Sequence, residues 1–225
     1  MLVVPNYLHG LALISDLDGV IVDSNPVHIE VWRAYLKRYG IDPGDDLPEL
    51  MYGRRNDEIV KDFFGGRLTP EQVLAHGAAK EVLYRQTIAP LLPKCLVPGA
   101  AAFLERHRAM PMGLASNAEP ANVKFILEQS GLRGYFSVVM DGYQVQRPKP
   151  DPEIYVRTAQ SLATAPRNCI VFEDSSAGVD AARDAGARVV ALRTTHSSFL
   201  RADLTVDNFL SPELEPWIER QRVMS

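Results

Sequence analysis

Cysteine is nearly missing from this chain of 225 residues: only Cys95 and Cys169 occur, and no histidine stands at zinc-ligand spacing from either. That scarcity excludes a disulfide scaffold and a thiolate metal cluster. Long hydrophobic runs are also absent, so no stretch approaches membrane-spanning length. Positive charge is not in excess, with 24 Lys and Arg against 28 Asp and Glu and a formal net charge of -4. A protein that grips nucleic acid through phosphates needs the opposite balance. The chain has no internal repeat, no low-complexity segment and no sustained heptad, and Met1 to Gly10 carry no signal-peptide pattern. The expectations that follow are a reducing cytoplasm and a small-molecule partner, with no role for nucleic acid or membrane. The oligomeric state stays open, a monomer being acceptable.

What is present is ample core material, 46% hydrophobic against 23% charged residues, enough for one globular domain with an insertion or two small ones. Strand-sized apolar runs recur at Leu11 to Ile14, Met112 to Ala115, Val138 to Met140, Cys169 to Phe172, Val189 to Leu192 and near Leu204 to Val206. Helical patterns lie between the later runs: Val123, Ile126 and Leu127 before Gly131, a helix opened by Asp151 and Pro152, and Ala177 to Ala185 closed by Gly186. Alternating strands and helices predict an α/β fold with a doubly wound, mostly parallel sheet.

The interval from Asn25 to Lys94 breaks that rhythm. Ile29, Trp32, Leu36 and Tyr39 repeat at helical spacing, and Thr69, Pro70, Glu71 and Gln72 form a capping box. We therefore expect an α-helical cap over residues 25–94, inserted into a core made of 1–24 and 95–225, with linkers near Ser24 to Pro26 and Pro90 to Val97. Cys169 reads as a buried thiol, and Trp32 and Trp217 as packing anchors.

Chemistry-bearing residues follow the expected strands. Asp16 and Asp18 come after the first, Ser116 and Asn117 after the second, Lys149 after the third, and Glu173 and Asp174 after the fourth. Ligands of open parallel sheets bind outside the carboxyl ends of the strands, so these distant stations converge. Clustered carboxylates repel unless cations compensate, and Lys149 and Mg2+ are the expected compensators. Asp16, Asp174 and a backbone carbonyl near Asp18 suit Mg2+, which prefers oxygen ligands, while Glu173 supports the metal from behind. Asp16 then serves as a nucleophile toward phosphorus and Asp18 as general acid and base. Ser116, Asn117 and Lys149 are candidates for holding the phosphoryl oxygens. Each signal has a bland reading: Ser116 and Asn117 as a helix cap, Lys149 as a loop lysine, Glu173 and Asp174 as caps of the following helix.

Together these segments, Asp16-Leu-Asp-Gly-Val-Ile-Val-Asp-Ser24, Ser116-Asn117, Arg147-Pro-Lys-Pro-Asp-Pro-Glu-Ile-Tyr155 and Val171-Phe-Glu-Asp-Ser-Ser-Ala-Gly178, resemble the haloacid dehalogenase superfamily. The resemblance is to its branch of β-phosphoglucomutase-like and small-molecule phosphatase enzymes, and it covers nearly the whole chain. It implies a Rossmann-like core, a helical cap inserted after the first motif, a required Mg2+ and the roles just given. Haloacid dehalogenases proper lack the second aspartate, so Asp18 speaks against carbon–halogen cleavage.

In the cap, Arg54 or Arg55 either meets an anionic substrate as a lid closes or belongs to a solvated helix start. His28 and Lys80 match positions that carry functional residues in mutases of this branch. On their own, Lys80 reads equally as an exposed helical lysine and His28 as a residue flanking the hinge. The mutase pattern has an arginine where this chain carries Asn56. The expected function is thus a Mg2+-dependent phosphatase acting through an aspartyl phosphate on a sugar phosphate or a phosphorylated short acid. A phosphosugar mutase is the alternative, and a catalytically silent binding module is a distant third.

Overall fold

The computed structural model describes residues 10–223. The absence of a signal pattern, His9 and most of the first core segment's leader lie outside the described residues. Six strands form one parallel sheet in the order β3-β2-β1-β4-β5-β6: β1 (Ala12–Ser15), β2 (Met112–Ala115), β3 (Val138–Met140), β4 (Cys169–Glu173), β5 (Arg188–Leu192) and β6 (Leu204–Val206). The winding reverses at β1, so this is the doubly wound α/β architecture expected from the alternation of strands and helices.

Alternate side chains of a buried strand serve opposite layers. Leu13 joins one apolar cluster with Phe103, Val123 and Ile218, whereas Ala12 and Ile14 join another with Ile154, Tyr155 and Val179. Thus α6 (Ala100–Arg106), α7 (Pro120–Gln129) and α10 (Leu214–Val223) cover one face, and α8 (Glu153–Ser161) and α9 (Ser176–Asp184) cover the other. Cys169 is buried in the second layer, and neither cysteine forms a disulfide.

Between β1 and β2 the chain is helical: α1 (Asn25–Lys37), α2 (Leu47–Met51), α3 (Asn56–Phe64), α4 (Pro70–Ile88) and α5 (Leu92–Cys95) precede α6. Trp32, Leu36, Leu47, Ile59 and Val73 form an apolar cluster of their own among these helices. The capping box at Thr69 is made as expected, its hydroxyl accepting from the Gln72 amide while the Gln72 side chain accepts from the Thr69 amide. Among the described residues no helix is long and apolar enough to cross a membrane.

Several expected boundaries move. Ser24 to Pro26 is no loose linker, because α1 already begins at Asn25 with Pro26 in its first turn. Pro90 to Val97 contains the short helix α5, and the outgoing and returning chains are tied by bonds from Asp23 N to Cys95 O (2.7 Å) and from Val97 N to Ile21 O (3.1 Å). The helix expected from Asp151 starts at Glu153, since the Asp151 carboxylate accepts from the Glu153 amide and Pro152 takes the cap position.

Candidate active site

Parallel register carries the stations to one place. Ser15 is opposite Phe172 in β4 and Leu114 in β2, so the next residue of each strand end, Asp16, Glu173 and Ala115, opens the same crevice. Beyond Asp16 the chain turns sharply: the amides of Ile21 and Val22 both bond to Leu17 O, and Gly19 adopts φ +74°. A side chain at Gly19 would overlap the Asp174 carboxylate, so the turn needs a residue without Cβ for steric and conformational reasons alike.

Lys149 is the electrostatic centre. Its buried ammonium lies 3.1 Å from Asp16 Oδ1 and 2.6 Å from Glu173 Oε1 and donates to Ala115 O at 3.0 Å. The Lys149 side chain is therefore no solvated loop lysine. Glu173 is fully engaged: Oε1 takes Lys149 and the Tyr155 hydroxyl, and Oε2 takes the amides of Asp174 and Ser175 and the Ser175 hydroxyl. Its work in this geometry is to hold Lys149 and the turn after β4. The cap of α9 is Ser175, whose hydroxyl accepts from the Gly178 amide, which leaves Asp174 out of the capping role. Asp174 Oδ2 instead accepts from Asn25 Nδ2 at 3.0 Å and from the Thr195 hydroxyl.

Burial raises the Asp16 carboxyl to about 7, opposed by Lys149 and reinforced by Glu173 and Asp18. Burial also raises Asp174, with repulsion from Glu173 and Asp16 added. Burial acts on Glu173 in the same sense, but the charge and hydrogen bonds of Lys149 and the bond from Tyr155 prevail and lower it. Asp18 is likewise lowered, because hydrogen bonding and charge from His28 and the Ser24 hydroxyl outweigh its desolvation. Asp16 and Asp18 thus differ in proton affinity through their surroundings, the kind of difference that equips two like acids for unlike tasks.

The oxygen-only donor set fits a hard divalent cation. Asp16, Glu173 and Asp174 each offer a carboxylate oxygen, all within 4.8 Å of one another. Asp16 Oδ1 has no aligned hydrogen-bond donor despite the nearby Lys149 charge, so it keeps a lone pair for a ligand. With Glu173 saturated, Asp16 and Asp174 are the carboxylates available to a metal.

Ser116 and Asn117 are both buried at the end of β2, and α7 begins only at Pro120, so they do not cap it. The Ser116 hydroxyl accepts from the Ala118 amide and lines the cavity. Asn117 uses both ends of its amide: Nδ2 donates to Gly53 O at 2.8 Å, and Oδ1 accepts from the Lys149 amide at 3.3 Å. In this arrangement it ties three loops together.

The cavity above these groups has a volume of roughly 70 Å³, and its roof comes from the helices between β1 and β2. His28 is buried, stacks on Tyr84 at 3.8 Å between ring centroids, and points Nε2 at Asp18 from 3.6 Å. Lys80 is 1% exposed, which overturns its reading as a surface lysine. It contacts His28 Nδ1 at 2.7 Å and Glu81 at 2.8 Å and lies 5.0 Å from the centre of the Trp32 ring. Arg54 lines the cavity but is paired with Asp62 at 2.8 Å, and Arg55 is turned toward Asp57 and the Tyr143 ring.

Sequence reasoning passed over Asn25, Glu81, Tyr155 and Thr195. Thr195 had a usable signal, because it follows β5 just as the other stations follow their strands. Tyr155 lies inside a motif already singled out, and a buried phenol requires a partner. Glu81 had none, since a charged residue beside Lys80 on a long helix looks like solvated surface.

A family model described as haloacid dehalogenase-like hydrolase matches residues 11–186. The fructose-1-phosphate phosphatase YqaB of Escherichia coli (strain K12) is 30% identical over 190 residues, covering 83% of this chain and 98% of that protein. The β-phosphoglucomutase of Bacillus subtilis (strain 168) is also 30% identical, over 204 residues, covering 87% and 88%. A crystal structure of β-phosphoglucomutase from Clostridium difficile superimposes with a TM-score of 0.83 at 27% identity, covering 96% of this chain and 98% of the other. With a matched span that takes in β1 through α9 and the crevice residues from Asp16 to Asp174, the chain belongs to the haloacid dehalogenase-like hydrolases.

Proposed function

We propose that this enzyme is a Mg2+-dependent phosphatase that hydrolyses a small phosphorylated metabolite, a sugar phosphate or a phosphorylated short acid, through an aspartyl phosphate on Asp16. The observation that carries the reading is the division of labour at the end of β1. Asp16 is buried against the Lys149 ammonium at 3.1 Å, while Asp18, two residues on, is held by Ser24 and His28 at the mouth of the cap. Relatives named as a fructose-1-phosphate phosphatase and, in Thermotoga maritima, a phosphorylated carbohydrates phosphatase support the substrate class.

In the first step an Asp16 oxygen attacks phosphorus, the bond from phosphorus to the ester oxygen breaks, and Asp18 gives its proton to the departing alcohol. An arriving phosphoryl dianion raises the proton affinity of Asp18, which His28 and Ser24 otherwise hold low, and so prepares it as the acid. In the second step Asp18, now the base, takes a proton from water as that water attacks phosphorus. The bond to Asp16 breaks, the carboxylate is restored and phosphate leaves. Lys149 and the Ser116 hydroxyl stabilise charge on the phosphoryl oxygens. Asp16, Asp174 and a backbone carbonyl near Asp18 would hold Mg2+, which when bound neutralises phosphoryl charge. Residues 25–94 act as the cap that closes over the site and excludes bulk water. The free thiols of Cys95 and Cys169 suit a reducing cytoplasm.

The test is a panel of phosphorylated metabolites incubated with Mg2+, with free phosphate and isomerised product measured together. Hydrolysis without isomerisation is expected. Isomerisation primed by a sugar bisphosphate would instead select the mutase, and no turnover of any ester despite metal binding would select a silent module.

A further inference from the structure

Around the cavity, charge is cancelled on the side away from Asp16. The Lys80 ammonium is spent on His28, Glu81 and the Trp32 ring, and Arg54 on Asp62 and the Leu50 carbonyl. Arg85, at the edge, is taken by Glu119 at 2.5 Å and by Asn122 Oδ1 at 2.6 Å. The one acid in this wall is Glu81, 2% exposed, which also accepts from Asn56 Nδ2 and Asn122 Nδ2 at 2.6 Å each. A phosphate or carboxylate brings acceptor oxygens and negative charge, and among the described residues of this wall it finds no unpaired cation, because Glu81 neutralises Lys80 at 2.8 Å. A hydroxyl brings a donor and no charge, and it can bond to the acceptor oxygens of Glu81 and Asn56.

From this arrangement we propose that the leaving-group wall selects a neutral, hydroxyl-rich alcohol and rejects a second phosphate or carboxylate, with Glu81 as the residue that sets the selectivity. The proposal rests on the phosphatase reading and narrows it, discarding phosphorylated acids and bisphosphates as good substrates. It also works against a phosphosugar mutase, whose reaction must hold a second phosphoryl group where this wall offers a neutral ion pair and no spare cation.

The test compares kcat/KM of the Mg2+-loaded enzyme for a hexose monophosphate, the matching hexose bisphosphate, phosphoglycolate and para-nitrophenyl phosphate. The wild type should favour the monophosphate over the bisphosphate and phosphoglycolate by about 100-fold. Glu81→Gln leaves Lys80 with uncancelled charge and should narrow that ratio by about tenfold, whereas a general structural defect would lower every ester alike. Comparable turnover of the bisphosphate or phosphoglycolate by the wild type would overturn the proposal, and it needs no variant to be folded. An unchanged ratio in folded Glu81→Gln would remove Glu81 from the role. Hydrolysis of none of the four esters would bring down the phosphatase reading itself, a result plainly different from hydrolysis with the wrong preference.

Discussion

At the scale of single residues the site is a contest between burial and neighbouring charge, and the sign of each outcome can be measured. Asp16→Asn keeps the shape of the side chain and removes the proposed nucleophile. It should leave the thermal unfolding profile close to that of the wild type while turnover falls below detection, and appreciable residual hydrolysis would refute a covalent aspartyl phosphate. Glu81 illustrates linkage. Burial raises its carboxyl, but the charges of Lys80 and His28 and the bonds from Lys80 and Asn122 prevail and bring it from 4.5 to about 2. A depressed carboxyl contributes stability above its unfolded value and loses it as pH falls toward the folded one. Urea unfolding of wild type and Glu81→Gln should therefore show a gap of about 3 kcal/mol near neutral pH that closes progressively below about pH 4.5. The groups facing Glu81 are Lys80 on its own helix, His28 from α1, Asn56 from α3 and Asn122 from α7, with the Arg85 and Glu119 pair beyond.

At the scale of elements, α4 presents Lys80 and Glu81 to the cavity and Arg85 to α7, so its start is worth testing alone. Thr69 is exposed and far from the chemistry, yet its side chain closes the capping box. Thr69→Ala should cost about 1 kcal/mol, seen as a melting temperature lower by roughly 2–4 °C, with kcat nearly unchanged. Elements of this kind were legible in the sequence because their signals are local. The six apolar runs became the six strands to within one residue at every end, and the residues at or beyond the ends of β1 to β4 were readable as one site because a parallel sheet gathers its carboxyl ends. The buried face of α4 was not legible. Pattern reading tells which residues are polar, whereas the burial of Lys80 and Glu81 depends on α1, α3 and α7 arriving from other parts of the chain.

At the scale of the whole molecule, the contacts that join the helices above the cavity to the sheet side include Arg85 with Glu119 and Asn122, and Asn117 with the Gly53 carbonyl. Arg85→Ala should loosen that docking, raising KM by about three- to tenfold with a smaller change in kcat and speeding limited proteolysis between residues 25 and 94. The sheet order carries a different lesson. Leu13 in β1 pairs with Met112 on one side and Ile170 on the other, so the strand that leads into Asp16 is completed only by partners far along the chain. Such pairings form late, because the intervening loops must be closed before any contact rewards them. Refolding from denaturant should accordingly return catalytic activity no earlier than the slowest tertiary signal. A nascent or partly unfolded copy, lacking either neighbour of β1, cannot assemble the acid cluster and so cannot attack phosphate esters before the fold is whole.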